Sequence, residues 1–430
     1  MANIAEFAAA YAHRDLRGLS DIDAAVKGAF LEDAKVYLGA ILSWLMPSDS
    51  PGRRGSRSRS ILSCLGAVPF DFQYVPKGHQ VADTVKTLGW SGWVTTAAKR
   101  HMARTGALAG SFAEARETLK DLAAVEVSVT RVRNLTLEVG KKTLEAQENG
   151  TLRDLGTRTP PPTGKRKRGK NGTLFTVGTF VGETMVISVD GTGAPCTHAD
   201  TDGVKGKEEA EAGTRELKVA LVSVYTHVDA KGKPLTSRAG TSYFVTYKSA
   251  GDIIPVLRRE ALRRGYGHIQ RVQFIGDGAE WIRNLWQQAF NDSILTLDYC
   301  HACTYLSVIC KEIFAVDAEP AGFRLLKGKL KRYGGVTLMR LLATEHSAAL
   351  AALGEDGKAA IRYLETRLDF MNYGWLRRHH YYIGSGSVES ACKFLVAARC
   401  KQAGMHWRHK NAAYIASIRA ALRSNREIAA

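Results

Sequence analysis

The sequence predicts an α/β fold: a mixed-sheet domain interrupted by an all-α insertion and preceded by a mostly helical region. Short apolar runs typical of buried strands, at 185–189 and 271–276, each lead into an aspartate followed by glycine. Between 300 and 373 the apolar residues instead recur every three or four positions, which is typical of helices. The sheet is therefore expected before a long helical segment, with further helices after it.

The chain divides by composition into seven predicted segments. These are a helical start (1–50), a basic loop with a strand pair (51–82), a helical region (83–150), a basic proline-rich linker (151–172), the first part of the sheet domain (173–299), the all-α insertion (300–380) and C-terminal helices (381–430). The strand pair is expected to turn at Gly66 and Ala67.

The chain has 430 residues, is 45% hydrophobic and carries a formal net charge of +18. The hydrophobic fraction suits a globular protein with a large core. The excess of Lys and Arg predicts a polyanionic partner, of which nucleic acid is the commonest. No apolar run is long enough for a transmembrane helix and the first residues do not resemble a signal peptide. We expect no membrane partner and a cytoplasmic location, which the irregular spacing of the seven cysteines also favours.

Two helices joined by a short turn are predicted between Ser111 and Asn149, each with a serine at its N-cap. This pattern indicates a helix-turn-helix whose second helix offers Arg131, Arg133 and Asn134 to DNA. The alternative is a helical hairpin that only packs or dimerises. In the linker after these helices, a basic run is expected to lie along a phosphate backbone. That run consists of Lys165, Arg166, Lys167 and Arg168.

From 173 to 299 the predicted order is three neighbouring strands, a helix, a fourth strand, a helix and a short strand. This order matches the RNase H-like fold, in which acids lie on the first strand and at the end of the fourth. Asp190 is predicted to lie at the end of its strand, with Gly191–Gly193 as a turn, and Asp277 follows the fourth strand. Glu389 is predicted in the first turns of a helix.

Three carboxylates brought together from two strand ends and a helix are what a two-metal phosphoryl-transfer site requires. We expect two Mg²⁺ ions, or Mn²⁺, with Asp190 shared between them, Asp277 on one and Glu389 on the other. In this hypothesis a water oxygen first cleaves a phosphodiester, and the freed 3′-hydroxyl then attacks a target phosphate.

Several further residues are candidates for the same site. His301 is expected to orient a phosphate or a carboxylate, with a core histidine as the alternative. Cys300 and Cys303 form a CxxC, but zinc is unexpected because no second ligand pair exists. Lys393, four residues after Glu389 on the expected helix face, and Arg399 are predicted to hold DNA phosphates or to pair with the acids.

For several other aromatic and basic residues the sequence allows two interpretations. Trp407 is expected in the core, with stacking on a flipped base as the alternative. Basic faces of the helical insertion either clamp DNA or are simply solvated. Their residues are Lys327, Lys329, Lys331 and Arg332.

Taken together, the motifs resemble the ISKra-type bacterial insertion-sequence DDE transposases, of the Mutator-like group. The matching stretches are VDGTG (189–193), TRELK (214–218), GDGAEWI (276–282), LDYCHA (297–302), GSGSVESACK (384–393) and QAGMHW (402–407). They occur in order over roughly residues 55–425.

The resemblance implies a Mg²⁺-dependent DNA transposase with an RNase H-like fold and a helical insertion. The family's acidic triad falls on Asp190, Asp277 and Glu389, and its DxxH motif on Asp298 and His301. It also implies double-stranded DNA partners, namely element ends and target DNA, a homodimer or larger assembly on those ends, and a nucleoid-associated location in a bacterial cytoplasm.

One departure keeps alternatives open. Family members often carry CxxC pairs beside the strand pair, whereas this chain has only Cys64 there, so a zinc module is expected to be lost. The alternatives are an inactive or domesticated DNA-binding protein derived from such a transposase, and an RNase H-type nuclease that never joins strands.

Overall fold

The computed structural model describes residues 19–46, 55–73, 93–155, 165–168, 174–206 and 212–430. Mixed α/β structure is confirmed: a mixed five-stranded sheet is accompanied by many helices. The chain forms two compact units, Met1–Val139 with Ala430, and Gly140–Ala429. Among the described residues, no helix combines the length and the hydrophobicity that crossing a membrane requires.

The first unit contains a helix, a hairpin and a helical cluster. Its elements are α1 (Leu19–Leu45), β1 (Ser56–Ser63), β2 (Gly66–Gln73), α2 (Thr96–Leu108), α3 (Phe112–Ala123) and the first half of α4 (Val129–Asn149). The hairpin between β1 and β2 turns at Cys64 and Leu65, two residues before the predicted turn. The hydroxyl of Ser63 fixes this earlier turn, because it donates to the carbonyl of Gly66 at 3.0 Å and accepts from the Leu65 N–H.

The helices α2, α3 and α4 share a small apolar core made of alanine, methionine, leucine and valine side chains. It contains Ala98, Met102, Ala115, Leu119, Val125, Val132 and Leu135. Ser111 caps α3 as predicted, since its hydroxyl accepts the N–H of Glu114. The hydroxyl of Ser128 likewise accepts the N–H of Arg131 in the first turn of α4.

The second unit is built on one mixed sheet. Its strands are β5 (Thr179–Pro195), β6 (Thr214–Val228), β7 (Thr241–Thr246), β8 (Arg271–Gly276) and β9 (Ile294–Leu297). Their spatial order is β7-β6-β5-β8-β9. The β5–β6 and β6–β7 pairs are antiparallel, whereas β5–β8 and β8–β9 are parallel.

Some helices of this unit pack on the sheet, and others pack on one another. They are α5 (His198–Thr201), α6 (Ala250–Arg263), α7 (Glu280–Ala289), α8 (Tyr299–Ile313), α9 (Glu319–Tyr333), α10 (Gly335–Glu345), α11 (Ser347–Ala351), α12 (Glu355–Glu365), α13 (Tyr373–Arg378), α14 (Gly386–Ala391) and α15 (His409–Arg423). Every regular element from Tyr299 to Arg378 is helical. After α14 the chain continues through a π-helical segment, Cys392–Ala397, and a short α turn, Ala398–Cys400, before α15.

Two large apolar cores stabilise the described part of the unit. One lies between the sheet and α6 and α7, where Ile187, Phe274 and Leu285 are fully buried or nearly so. The other holds α8–α13 together and includes Leu306 and Leu330. A fully buried side chain of this kind contributes about 1.5–3 kcal/mol relative to an exposed one. The helical segment therefore has its own core beside that of the sheet.

Two local predictions were wrong. The strand β5 does not end at Asp190 but continues to Pro195, and Gly191–Gly193 pair with β6 instead of turning. A Cβ on Gly191 would meet only the carboxylate end of Glu216, an exposed side chain that can move, so packing does not require glycine here. The basic run of the predicted linker, Lys165–Arg168, is a strand (β3) paired antiparallel with β4 (Leu174–Val177).

A buried ionic network ties α6 to the C-terminal end of the chain. Glu260 is 4% exposed, and its carboxylate accepts from Arg263 at 2.7 Å, Arg264 at 3.1 Å and Arg426 at 2.5 Å. Burial raises the pKa of Glu260, but the hydrogen bond from Arg263 and the charges of Arg426 and Arg263 outweigh burial and lower the pKa to about 2. Charge pairing is therefore what keeps this carboxylate ionised inside the protein.

Removing the Glu260 carboxylate is expected to destabilise the protein. Glu260→Ala leaves three arginines without their shared partner and should lower the free energy of unfolding by about 3–5 kcal/mol at pH 7. The pKa is depressed, so the charged contribution is fully present above the ordinary value of 4.5 and is lost as pH falls toward 2. In urea titrations, the deficit of Glu260→Gln should therefore shrink over that range. An exposed control, Glu355→Gln, should show almost no deficit at any pH; a pH-independent deficit for Glu260→Gln would contradict the network.

Candidate active site

The three predicted acids line one cleft of the second unit. Asp190 lies just beyond the last residue of β5 that pairs with β8, and Asp277 follows β8 directly. Because these two strands are parallel neighbours, both aspartates reach the same edge of the sheet. Glu389 lies on α14. The cleft has a volume of about 280 Å³ and is lined by Val189, Asp190, Asp277, Asp298, Cys300, His301, Thr304, Ser385 and Glu389.

Asp190 is the most constrained of the three acids. One carboxylate oxygen accepts the N–H of Gly191 at 2.7 Å, and the other accepts the thiol of Cys392 at 3.5 Å. Burial is the largest effect and raises the pKa of Asp190; the two hydrogen bonds oppose it, and the charges of Asp277 and Glu389 raise it again. The charges of Asp277 and Glu389 thus both repel that of Asp190, and a cation in the cleft would relieve this repulsion.

Asp277 is held by the helical segment that precedes α14. Its own carboxylate accepts the N–H of Ala279 at 2.9 Å. The hydroxyl of Tyr363 donates to the Asp277 carbonyl at 2.7 Å, and Arg367 donates to the Gly278 carbonyl at 2.9 Å. Gly278 has φ +83°, and a Cβ there would lie 2.5 Å from the Tyr363 hydroxyl, so only glycine suits this turn.

Glu389 is exposed, and its carboxylate accepts the hydroxyl of Ser385 at 3.1 Å. It lies in the short α14, and the chain changes to π-helical geometry at Cys392. A π turn holds slightly more residues than an α turn, so Lys393, four residues after Glu389, still lies near the same helix face. Lys393 is exposed, and its contact with DNA stays a prediction.

Asp298 is a fourth carboxylate in the cleft, and it is 2% exposed. One of its oxygens accepts the N–H of His301 at 2.6 Å and so caps α8, while the other accepts the N–H of Ser385. With both oxygens engaged, Asp298 joins the start of α8 to the start of α14. We infer that it positions the helix that carries Glu389.

His301 lies in the cleft, as the sequence predicted. Its ring contacts the edge of Tyr305 at 5.5 Å between centroids and Tyr363 at 6.0 Å, and these two tyrosines stack on each other at 3.6 Å. The sequence reasoning missed Tyr363, Arg367, Ser385 and Cys392 as residues around the acids. Tertiary packing brings each of them near the acids. Only Ser385 and Cys392 could have been suspected from the sequence, because they lie in the same motif as Glu389.

The predicted phosphate contact by Arg399 is wrong. The side chain is 1% exposed, and its guanidinium lies over the Trp407 ring at 5.2 Å, so it cannot reach a bound nucleic acid. Trp407 itself is half-buried, and its indole N–H donates to the Cys400 carbonyl at 3.1 Å. This contact supports a packing role for Trp407, the alternative preferred from the sequence.

The remaining predicted contacts are distributed over both units. Arg131, Arg133 and Asn134 are exposed on the first turns of α4. The run Lys165–Arg168 forms β3. In the CxxC, Cys300 is exposed and Cys303 is buried, and burial raises the pKa of both thiols. A protonated thiol is a poor zinc ligand, since zinc binds the thiolate.

The fit of the cleft to magnesium rests on its donor atoms. Within the described part of the chain, no three His, Cys, Asp or Glu side chains converge as ligands of one metal ion. Mg²⁺ usually needs only one or two carboxylates, with waters and substrate phosphates completing its shell. The hard oxygen donors of Asp190, Asp277 and Glu389 fit that requirement.

Substitutions at Asp298 and Glu389 should differ in their effect on stability. Asp298→Ala leaves the N–H groups of His301 and Ser385 without their acceptor, so the free energy of unfolding should fall by about 2 kcal/mol. Glu389→Gln removes an exposed charge that repels Asp190, so stability without metal should be unchanged or slightly higher. Urea unfolding measures both, and hydrogen exchange at the Ser385 amide should accelerate only in Asp298→Ala. Equal stability of the two variants would argue against the clamp.

Comparisons with known proteins do not identify a family for this chain. No protein-family model matches this chain, and no curated protein matches it. The geometry of the cleft and the sequence motifs are therefore the basis for assigning a function.

Proposed function

We propose that this protein is a DNA transposase of the DDE type, which cleaves DNA at the ends of an insertion sequence and joins those ends to target DNA. The observation that carries the proposal is the single cleft lined by Asp190, Asp277 and Glu389. These acids come from positions 87 and 112 residues apart, yet their charges interact. A chance cluster of acids without a ligand would be electrostatically unfavourable.

The sheet supports an RNase H-like catalytic domain. Three antiparallel strands followed in space by two parallel ones, in the order β7-β6-β5-β8-β9, match the strand order expected for that fold. The first acid lies on the central strand β5 and the second directly after its parallel neighbour β8. The helices from Tyr299 to Arg378 lie between the second and third acids in the sequence, where the proposed insertion is expected.

In the proposed reaction, Asp190, Asp277 and Glu389 would hold two Mg²⁺ or Mn²⁺ ions. Such ions would neutralise part of the charge on the reacting phosphate and would lower the pKa of a bound water molecule. A water oxygen attacks the phosphorus and releases a 3′-hydroxyl; that hydroxyl then attacks a target phosphate, and the new phosphodiester forms as the target's own bond breaks. His301, which lines the same cleft, is proposed to orient the phosphate, and the hydrogen bond from Ser385 supports the position of the Glu389 carboxylate.

Basic residues outside the cleft complete the proposal. Exposed Arg131, Arg133 and Asn134 on α4 are proposed to contact the element end, as the second helix of a helix-turn-helix does. Lys165–Arg168 and Lys393 are proposed to contact phosphates. The overall charge of +18 supports a polyanionic substrate. We propose that two or more copies act together on paired DNA ends.

Replacing the shared acid should separate catalysis from binding. Asp190→Asn keeps the size of the side chain but halves its capacity to hold cations, so Mg²⁺-dependent cleavage of duplex DNA should fall by about 10³-fold or more. DNA affinity should change little. Asp317→Asn, an exposed acid on the helical segment, is the matched control and should cleave normally.

The products decide between the proposed function and its alternatives. Joining of a labelled 3′ end to a plasmid supports the transposase. Cleavage without joining, or a preference for RNA–DNA hybrids, indicates a nuclease instead. Binding without any cleavage in Mg²⁺ or Mn²⁺ indicates a DNA-binding protein derived from a transposase. Full activity of Asp190→Asn would refute the catalytic assignment.

Substitution of the α4 residues tests DNA recognition separately. Arg131→Ala with Arg133→Ala should weaken binding to duplex DNA and lower the dependence of log affinity on log salt by about two, one for each lost phosphate contact. Gel-shift titrations at several salt concentrations measure this. The exposed Lys120→Ala on α3 is the control, and an unchanged salt dependence in the double variant would favour the packing-only alternative.

A further inference from the structure

We propose that one face of α9 binds the phosphate backbone of the nucleic acid that enters the acidic cleft. This face, called here the α9 stripe, consists of Arg324, Lys327, Gly328 and Lys331. The inference rests on the proposed function, because it takes a nucleic acid as the substrate of the cleft. It goes beyond that function by assigning the surface that guides the substrate.

The stripe lies at the rim of the cleft. The hydroxyl of Tyr299 donates to the carbonyl of Lys327 at 3.0 Å, and the ammonium of Lys331 lies 5.8 Å from the centre of the Tyr299 ring. Tyr299 directly precedes Cys300 and His301, which line the cleft. The positive charges of Lys327 and Lys331 also act on the Cys300 thiol and lower its pKa, although burial raises it more. Both lysines are therefore near the cleft.

Three positive charges share this face. Arg324, Lys327 and Lys331 follow one another at spacings of three and four residues, which places them within about 100° of the helix circumference. All three are exposed, and none of them belongs to an ion pair among the described residues. Like charges at such spacings destabilise a helix. An anion bound along the stripe would offset that repulsion.

The other basic residues of α9 lie on other faces of the helix. Lys329 is two residues from Lys327, and Arg332 follows Lys331 directly, so neither shares the face of the stripe. The ammonium of Lys329 and the guanidinium of Arg332 lie over the ring of Tyr333, at 5.8 and 5.3 Å, whereas the ammonium of Lys327 lies over Phe323 at 5.4 Å.

Gly328 is a second, independent feature of the stripe. It lies in the interior of α9, where glycine is less favourable than alanine. A Cβ on Gly328 would meet nothing within 4 Å, whereas one on Gly322 in the same helix would lie 2.4 Å from the Phe314 ring. Packing thus explains Gly322 but not Gly328. A glycine between two exposed lysines lets a phosphate backbone approach the helix surface closely.

A nucleic acid fits this arrangement because its charge repeats along the strand. The cleft contributes four carboxylates, and it would repel a polyanion unless cations flank the entrance. The stripe supplies those cations beside the acids while remaining separate from them. A single small anion would pair with one lysine, whereas a nucleic-acid strand carries successive phosphates that can contact successive positive charges.

The charge of the stripe is tested by Lys327→Ala combined with Lys331→Ala in the full chain. Binding of a fluorescent duplex of about 30 base pairs, measured by anisotropy without divalent cations, should weaken by about tenfold or more near 0.1 M salt. The slope of log affinity against log salt should fall by about two. Lys311→Ala, on an exposed position at the far end of α8, is the matched control and should bind like the wild type.

The close approach is tested by Gly328→Leu, which adds bulk without changing charge. Leucine is the better helix former, so the thermal midpoint should stay the same or rise while DNA binding weakens severalfold. Gly28→Leu, at an open helical glycine in α1, should leave binding unchanged. Weakened binding with intact stability cannot come from misfolding.

The outcomes separate this inference from the proposed function. Absence of DNA binding and cleavage by the wild type overturns both. Normal cleavage by the wild type, with unchanged affinity and salt slope in the lysine double variant, overturns only the α9 stripe. Competition by polyglutamate as strong as by duplex DNA at equal charge would assign the stripe to an acidic protein partner instead.

Discussion

Three carboxylates that repel one another have to be held at one edge of a sheet, and much of the second unit provides that constraint. The end of the β5–β8 pairing brings Asp190 and Asp277 to the same edge. Asp298 then fixes the helix of Glu389 by accepting N–H groups from both His301 and Ser385. Asp298 is buried and both of its oxygens accept backbone N–H groups from two different helices, so we infer that it positions the site.

The helical segment between the second and third acids has a part in this arrangement. Tyr363 and Arg367 of this segment hold the backbone at Asp277 and Gly278 through hydrogen bonds. Because the segment has its own apolar core, these contacts come from a stable support. The geometry of the cleft therefore depends on a region that a minimal sheet domain lacks. Its outer face, at α9, carries the opposite charge from the cleft.

The proposed function follows from this division of charge. Acids are gathered in the cleft, where burial and mutual repulsion raise the pKa of Asp190. Cations lie on exposed helix faces, on α4 in the first unit and on α9 in the second. Such an arrangement suits a reaction on a nucleic acid. The basic helix faces would bind the phosphates next to the reacting one, and cations held by the acids would neutralise the reacting phosphate itself.

The sequence by itself determined most of the strands and helices and marked Asp190 and Asp277 as acids that follow apolar runs, because hydrophobic periodicity and Asp-Gly signals are local properties. It also marked His301, whose spacing from Asp298 places it at the start of a helix. Tertiary structure alone decided that Asp298 clamps two helices, that Tyr363 supports Asp277 and that Arg399 is buried under Trp407. It also decided that Gly191 continues a strand, since the backbone there pairs with Lys218 of β6. These features depend on contacts between residues far apart in the chain, which no local pattern encodes.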